Sequence, residues 1–288
     1  MATGTTRSLT KRILSGTAGA DMLFGGQDDD SLLGGLGDDS LFGGDGDDIL
    51  RGGDGQDSLF CGTGNDLAAG GTGNDSLFGE AGHDTLAGDA GDDSLFAGEG
   101  NDRLDGGTGH DALFGEAGHD TLSGGDGRDS LFAGEGDDRA SGGSGDDALY
   151  GEAGHDTLSG GDGADQLYCG VGSDRAGGGT GNDTIYGEAG NDTIAGEGGD
   201  DIVHGGTGAD LFAADSLTFG TLTIGDFDIT TDRLTLLNTA PADRAGIMAS
   251  LAYDDTRGGM VLTVDPDTAI VLLGLHPDDI AGGWLTLA

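Results

Sequence analysis

Aspartate recurs every nine residues, without a slip, from Asp21 to Asp210. The column is Asp21, Asp30, Asp39, Asp48, Asp57, Asp66, Asp75, Asp84, Asp93, Asp102 and Asp111, continued by Asp120, Asp129, Asp138, Asp147, Asp156, Asp165, Asp174, Asp183, Asp192, Asp201 and Asp210. Set this Asp as position 6 of a nine-residue unit. Position 4 is then Gly in 21 of 22 units, with Asp28 the exception, and position 8 is apolar in all 22. Leu dominates position 8, and Ala68, Ala140 and Ala176 are its small members. Units that repeat in fixed phase stack on their neighbours and share one continuous core. A disordered acidic tract has no reason to keep three columns in register.

A longer period lies over the first. Phe24, Phe42, Phe60, Phe78, Phe96, Phe114, Phe132, Tyr150, Tyr168 and Tyr186 take position 9 of every second unit, 18 residues apart. Two units therefore make one geometric turn. A 36-residue period also shows in Arg103, Arg139 and Arg175, and in the phrase GEAGHDT beginning at 79, 115 and 151. The expected unit is a short strand of about three residues, such as SLF, followed by a glycine-rich turn that uses positive φ. In this reading only position 8 points inward. Two strands per turn give two facing parallel sheets, and 22 units give 11 turns. The expected rod is roughly 50 Å long at about 4.8 Å between strands.

Composition alone points the other way. The chain has 54 acidic against 11 basic residues, a formal charge of -43, and 65 glycines. Such a charge with few apolar groups normally leaves a chain unfolded. It also repels nucleic acid and anionic membranes, and attracts cations. No apolar run is long enough for a membrane helix. The leading residues MATGTTRSLTKRILSG lack the apolar core of a secretory signal.

The coil reconciles order with charge. Stacked turns place Asp75 above Asp93 and so on along two columns, where bare carboxylates a strand spacing apart repel. Carboxylates and backbone carbonyls are hard oxygen ligands and suit Ca²⁺. Pairing each Asp with the one two units on gives 20 pairs, and 20 divalent ions carry +40 against a chain charge of -43. An EF-hand loop fails as an alternative: starting at Asp45, the twelfth position is Gln56 and not Glu.

The G-G-x-G-x-D-x-U-x pattern over residues 16–213 resembles the RTX, or hemolysin-type calcium-binding, repeat family. The resemblance implies an all-β, right-handed parallel β-roll in which the position-6 Asp side chains and turn carbonyls hold Ca²⁺ between units i and i+2. All 22 aspartates named above are then metal ligands, up to about 20 ions bind, and the end residues Asp21, Asp30, Asp201 and Asp210 serve one site each. The stretch ADLFAADSLTFGTLTIGDFDITTDRLTLLN looks like the segment that follows the repeats in such proteins. The resemblance also implies a C-terminal signal read by type I secretion machinery.

Three segments follow: a lead-in over 1–15, the calcium-binding roll over 16–213, and a small β cap with the secretion signal over 214–288. The last segment loses the glycine excess and carries strand-like runs such as MVLTV and AIVLLGL. A cap is needed because the last turn would otherwise expose its core and a sheet edge. Extracellular or cell-surface placement fits weak calcium sites.

Cys61 and Cys169 share position 1, six turns apart, which puts them beyond disulfide reach within one chain. They read as small residues replacing Gly, with intermolecular cross-linking as the alternative. His83, His119 and His155 take position 5 and read as turn-stabilising side chains. The aromatic column reads as family-typical packing or as a contact surface. Neither H-E-x-x-H nor G-x-S-x-G occurs, so no enzyme is expected. The expected function is a secreted, calcium-folded structural protein that self-associates into a surface layer, filament or matrix. A calcium-dependent adhesion, carbohydrate- or partner-binding module is the alternative.

Overall fold

The computed structural model describes residues 11–215, 220–237, 252–254, 257–265, 268–275 and 285–287. Every described element is a β-strand. Among the described residues no helix is long and apolar enough to cross a membrane. The chain divides into two compact units, residues 1–117 and 118–288.

In both units the chain winds as a parallel β-roll. From Ile13 to Asp215 consecutive strands alternate between two sheets, and strands 18 residues apart pair in parallel. We call the sheet that contains Ile49–Asp54 the first and the one that contains Ser40–Asp45 the second. In residues 1–117 the first sheet runs from Ile13–Ser15 to Arg103–Thr108, and the second from Met22–Gly26 to Ala112–Ala117. Register never shifts: Leu41 pairs with Leu59, and Leu59 with Leu77. In residues 118–288 the same register holds from Thr121–Asp126 and Ser130–Glu135 to Leu211–Asp215 and Asp201–His204.

Most of the strands are six residues long rather than three: Ser76–Ala81 covers position 7 to position 3 of the next unit, while Gln166–Tyr168 and Thr184–Tyr186 keep the expected three. Positions 8 and 1 point inward and positions 7, 9 and 2 point outward, in the period-two alternation of a strand. Position 8 forms the core as expected, with Leu41, Leu59, Leu77, Leu95 and Leu113 fully buried. Position 1 is a second inward column that the sequence reading did not include. Its occupants are mostly Gly, with Cys61, Ala97, Ala133 and Cys169 fully buried in the same place. The glycines close the turns. Gly64 has φ 136°, and a Cβ built on it would strike the Gly46 carbonyl oxygen of the turn below. A side chain there would push successive turns apart.

The coil continues after the last regular unit. Leu211–Asp215 pairs with Arg233–Leu237, and that strand with Leu285–Leu287. In the second sheet Thr221–Ile224 pairs with Thr268–Leu273. Gly259–Asp265 and Ala252–Asp254 then add antiparallel strands at the end. Phe212, Leu222, Ile224, Phe227, Leu234 and Ile270 are buried beneath these strands and form the β cap. The first ten residues of the lead-in, and residues 216–219, 238–251, 255–256, 266–267, 276–284 and 288 of the segment assigned to capping and secretion, lie outside the described residues.

Candidate metal centre

Each position-6 Asp sits where the turn re-enters the sheet, and its backbone is locked from both sides. The Asp39 carbonyl accepts the Ser58 N–H at 2.9 Å. The Asp39 N–H donates to Oδ1 of Asp57 at 2.7 Å. The pattern repeats as Asp75 N–H to Asp93 Oδ1 at 2.7 Å and as Asp156 N–H to Asp174 Oδ1 at 2.8 Å. One carboxylate oxygen of each Asp is therefore spent on the turn before it.

The other oxygen has nothing. From Asp39 to Asp210, all 20 Oδ2 atoms are buried and without a hydrogen-bond partner. A buried, unpaired carboxylate oxygen is among the most costly groups a fold can carry. Here it recurs in 20 consecutive units. Each Oδ2 faces a spot that the carbonyls also face. A Cβ built on Gly79 would meet Asp84 Oδ2 at 2.5 Å as well as the Ala97 carbonyl oxygen. One built on Gly25 would meet the Gly43 carbonyl oxygen at 2.5 Å and Asp30 Oδ2 at 2.8 Å. Carboxylate and carbonyl oxygens converge with no donor between them.

Burial raises the carboxyl pKa values, the backbone N–H bond opposes the rise, and neighbouring aspartates in the column add to it. Asp93, Asp147 and Asp156 move to about 7. Asp48, Asp66, Asp75 and Asp84 move to about 6. A column that is to stay ionised at neutral pH needs positive charge supplied from outside.

The donor set fits a hard divalent cation. All donors are oxygen, from carboxylate and carbonyl, which suits Ca²⁺ and not softer metals. Among the described residues no three His, Cys, Asp or Glu side chains converge on a single point. A bound ion would thus take much of its shell from turn carbonyls. Residues such as Asp57, Asp75 and Asp93 would hold it, and it would neutralise the Oδ2 atoms left bare.

The ends of the column differ. Asp21 belongs to it, since its N–H donates to Asp39 Oδ1 at 2.8 Å. Its Oδ2, however, accepts from the Thr17 N–H at 2.6 Å and the Thr17 hydroxyl at 2.9 Å. Arg12 stands 18 residues before Asp30, in the slot an Asp would fill. Its N–H donates to Asp30 Oδ1 at 2.5 Å, and its guanidinium donates to the Gly25 carbonyl. At the other end Asp232, 3% exposed, receives the Asp210 N–H on Oδ1 at 3.1 Å. Asp232 Oδ2 accepts the Asp228 N–H at 2.8 Å. The sequence reading missed Asp232 because an insertion makes its spacing 22 instead of 18. The D-x-L phrase of Asp232, Arg233 and Leu234 was the available signal.

Position 5 forms an outer ladder that ties the turns together. Asn65 Oδ1 accepts the His83 N–H at 2.9 Å, and His83 Nδ1 accepts the Asn101 N–H at 2.8 Å. His119 and His155 do the same for Asp137 and Ser173. The histidines are thus turn-stabilising acceptors. Cys61 and Cys169 are free, fully buried thiols. Burial pushes both thiols far above the ordinary range, so in the folded chain neither is open to cross-linking. The aromatic column stacks face to face on the outside of the second sheet. Centroids from Phe24 to Phe114 lie 4.7–5.1 Å apart. From Phe132 the stack continues to Tyr186 and ends on His204, a member that the aromatic pattern alone did not include.

These features define a calcium-type β-roll. The family profile described as RTX calcium-binding nonapeptide repeat matches ten segments, the first at 13–41 and the last at 177–212, and the chain belongs to that family. No protein of curated function matches it. Among solved structures it is similar to a subunit of the mannuronan C5-epimerase of Azotobacter vinelandii. That match is 30% identical, covers 50% of this chain and 80% of the other, and has a TM-score of 0.33. It is also similar to the extracellular lipase LipA of Serratia marcescens, at 20% identity, covering 81% of this chain and 40% of the other, with a TM-score of 0.28.

Proposed function

We propose that this chain is a secreted protein whose roll folds on extracellular Ca²⁺ and then serves as a self-associating component of a surface layer, filament or matrix. The observation that carries the calcium step is the row of buried, partnerless Oδ2 atoms. Without cations that row opposes folding, so binding energy becomes folding energy. The position-6 aspartates supply the ligands, in about 20 sites. Millimolar extracellular Ca²⁺ suits weak sites, whereas cytosolic concentrations do not. The chain therefore remains expanded inside the cell and folds outside. Segment 214–288 caps the roll and carries the signal for type I export, and residues 1–15 form a lead-in. No catalytic step is assigned to any residue.

The half-exposed aromatic stack favours a second reading, a calcium-dependent adhesion or carbohydrate- or partner-binding module. Sedimentation velocity in chelator and then in millimolar Ca²⁺ separates the two. The first reading predicts an expanded monomer that becomes large, regular species. The second predicts a compact monomer. An unchanged sedimentation coefficient contradicts both.

A further inference from the structure

The chain has two cysteines, Cys61 and Cys169. Both take position 1, and both thiols are free and fully buried. Glycine holds position 1 in the units two before and two after: Gly43 and Gly79 around Cys61, Gly151 and Gly187 around Cys169. The thiols fill space that those glycines leave, in the same interior as Leu59 and Leu167. A thiol buried in this way behaves as a small apolar group and is inert. A disulfide would attach a second sulfur to it, and a packed interior has no room for that sulfur or for the chain behind it.

The backbone of each cysteine has a separate role. A Cβ built on Gly43 would meet both Asp48 Oδ2 and the Cys61 carbonyl oxygen. One built on Gly151 would meet both Asp156 Oδ2 and the Cys169 carbonyl oxygen. Asp48 Oδ2 and Asp156 Oδ2 are among the buried oxygens without a partner. Each cysteine thus turns its carbonyl toward a candidate calcium site and its thiol toward the core. Calcium that draws the carbonyl into place also shuts the thiol in. A thiol held outside the core takes the carbonyl away from the site. The two events exclude each other, and such a coupling is reciprocal.

We propose that Cys61 and Cys169 form a redox gate on calcium loading: calcium bound first protects both thiols, and a disulfide formed first in the metal-free chain blocks both turns. The gate rests on the calcium-dependent folding proposed above. In the expanded chain both thiols meet solvent, and closing a long loop costs little more than closing a short one. The reaction is thiol–disulfide exchange with a small-molecule disulfide such as oxidised glutathione. One cysteine thiolate attacks the small disulfide, forms a mixed disulfide and releases one glutathione thiolate. The other cysteine thiolate attacks the protein sulfur of that mixed disulfide and releases the second. Two protein thiols become one Cys61–Cys169 disulfide, and one oxidised glutathione becomes two reduced ones. The two thiol protons pass through solvent to the released glutathione thiolates. An oxidising exterior poor in calcium therefore holds the chain open, and the same exterior with calcium leaves the thiols intact.

The test takes the full reduced chain in dilute solution and changes only the order of addition. In one arm millimolar Ca²⁺ precedes oxidised glutathione. In the other the chain is oxidised in chelator before excess calcium is added. Thiol titration and circular dichroism read both arms. The proposal expects the thiols to react at least tenfold more slowly in the calcium-first arm, as shielded core thiols do. In the oxidant-first arm the calcium midpoint of the sheet signal should rise several-fold, and dithiothreitol should restore it. The variant Cys61→Ala with Cys169→Ala uses the residue already present at Ala97 and Ala133, and it should fold alike in both arms. Oxidised and reduced wild type give the comparison even if that variant fails to fold. An oxidised chain that folds at the reduced chain's midpoint overturns the gate, as do equal thiol rates with and without calcium, while calcium-dependent folding stands. If the chelated chain already shows the full sheet signal, calcium-dependent folding falls, and the gate with it.

Discussion

The interior of the aspartate column and its two ends are built from the same backbone hydrogen bonds but balance their charge differently. In the interior each Asp gives Oδ1 to a neighbouring turn and leaves Oδ2 bare, as in Asp57, Asp75 and Asp93. At the ends the protein supplies the missing donor itself: Thr17 for Asp21, and the Asp228 N–H for Asp232. In both cases the donor lies four residues before the aspartate. Arg12 goes further and places a fixed cation beside the first turn. The difference teaches that the fold satisfies a carboxylate locally wherever a spare N–H is available. Inside the stack the N–H of each column Asp is committed to Oδ1 of the Asp 18 residues on, so the interior Oδ2 atoms depend on an external cation and those of Asp21 and Asp232 do not.

The largest expected effect comes from breaking the interior. Asp75→Ala strips a ligand from the column and leaves the Asp57 N–H without its acceptor. An unpaired buried donor alone costs about 1–3 kcal/mol. The calcium concentration at the folding midpoint should rise several-fold, and the number of bound ions should fall by one or two. A calcium titration followed by circular dichroism, with ion counting by native mass spectrometry, reads both. Unchanged values would contradict the assignment of Asp75 to a site.

Next in size is pH. The folded-state pKa values of Asp93, Asp147 and Asp156, at about 7, lie above the ordinary carboxylate value. The metal-free folded state therefore binds more protons than the unfolded chain. Its stability is fully present below pH about 4 and is lost as pH rises through 6 to 7. Chelated protein should show more sheet at pH 5 than at pH 8. The opposite order would mean that the aspartates are not buried as described.

Changes at the ends should be milder. Asp21→Ala removes an acceptor whose Thr17 donors are exposed and can turn to water, so the loss should be about 1 kcal/mol or less. The calcium midpoint should move far less than for Asp75→Ala. Arg12→Asp sharpens the comparison from the other side. It exchanges the fixed cation for another column carboxylate, and the count of bound ions should rise by one. An unchanged count would show that Arg12 does not stand in a cation's place.

Much of this was legible in the sequence because the period was unbroken. The 18-residue turn, the parallel register and the Leu core follow from Leu41, Leu59 and Leu77 standing two units apart. Strand length did not follow. Positions 1 and 2 are mostly Gly, and a residue without a side chain carries no hydropathy to mark which way it faces. Cys61 and Ala97 were the visible clues that position 1 points inward. Asp232 stayed hidden because an insertion shifted its phase, although its hydrogen bond to Asp210 restores the column in space. The bare Oδ2 atoms could be expected as a column of charge. That one oxygen of each pair is already committed could not, because it depends on which N–H points at which turn.

The central claim is that the interior column folds only when cations reach it. Equilibrium dialysis against Ca²⁺ at pH 7.5, with circular dichroism on the same samples, tests it most directly. The account predicts a disordered spectrum in chelator and a sheet signal that grows in step with bound calcium. A full sheet signal in chelator at that pH, unchanged by added calcium, would contradict it.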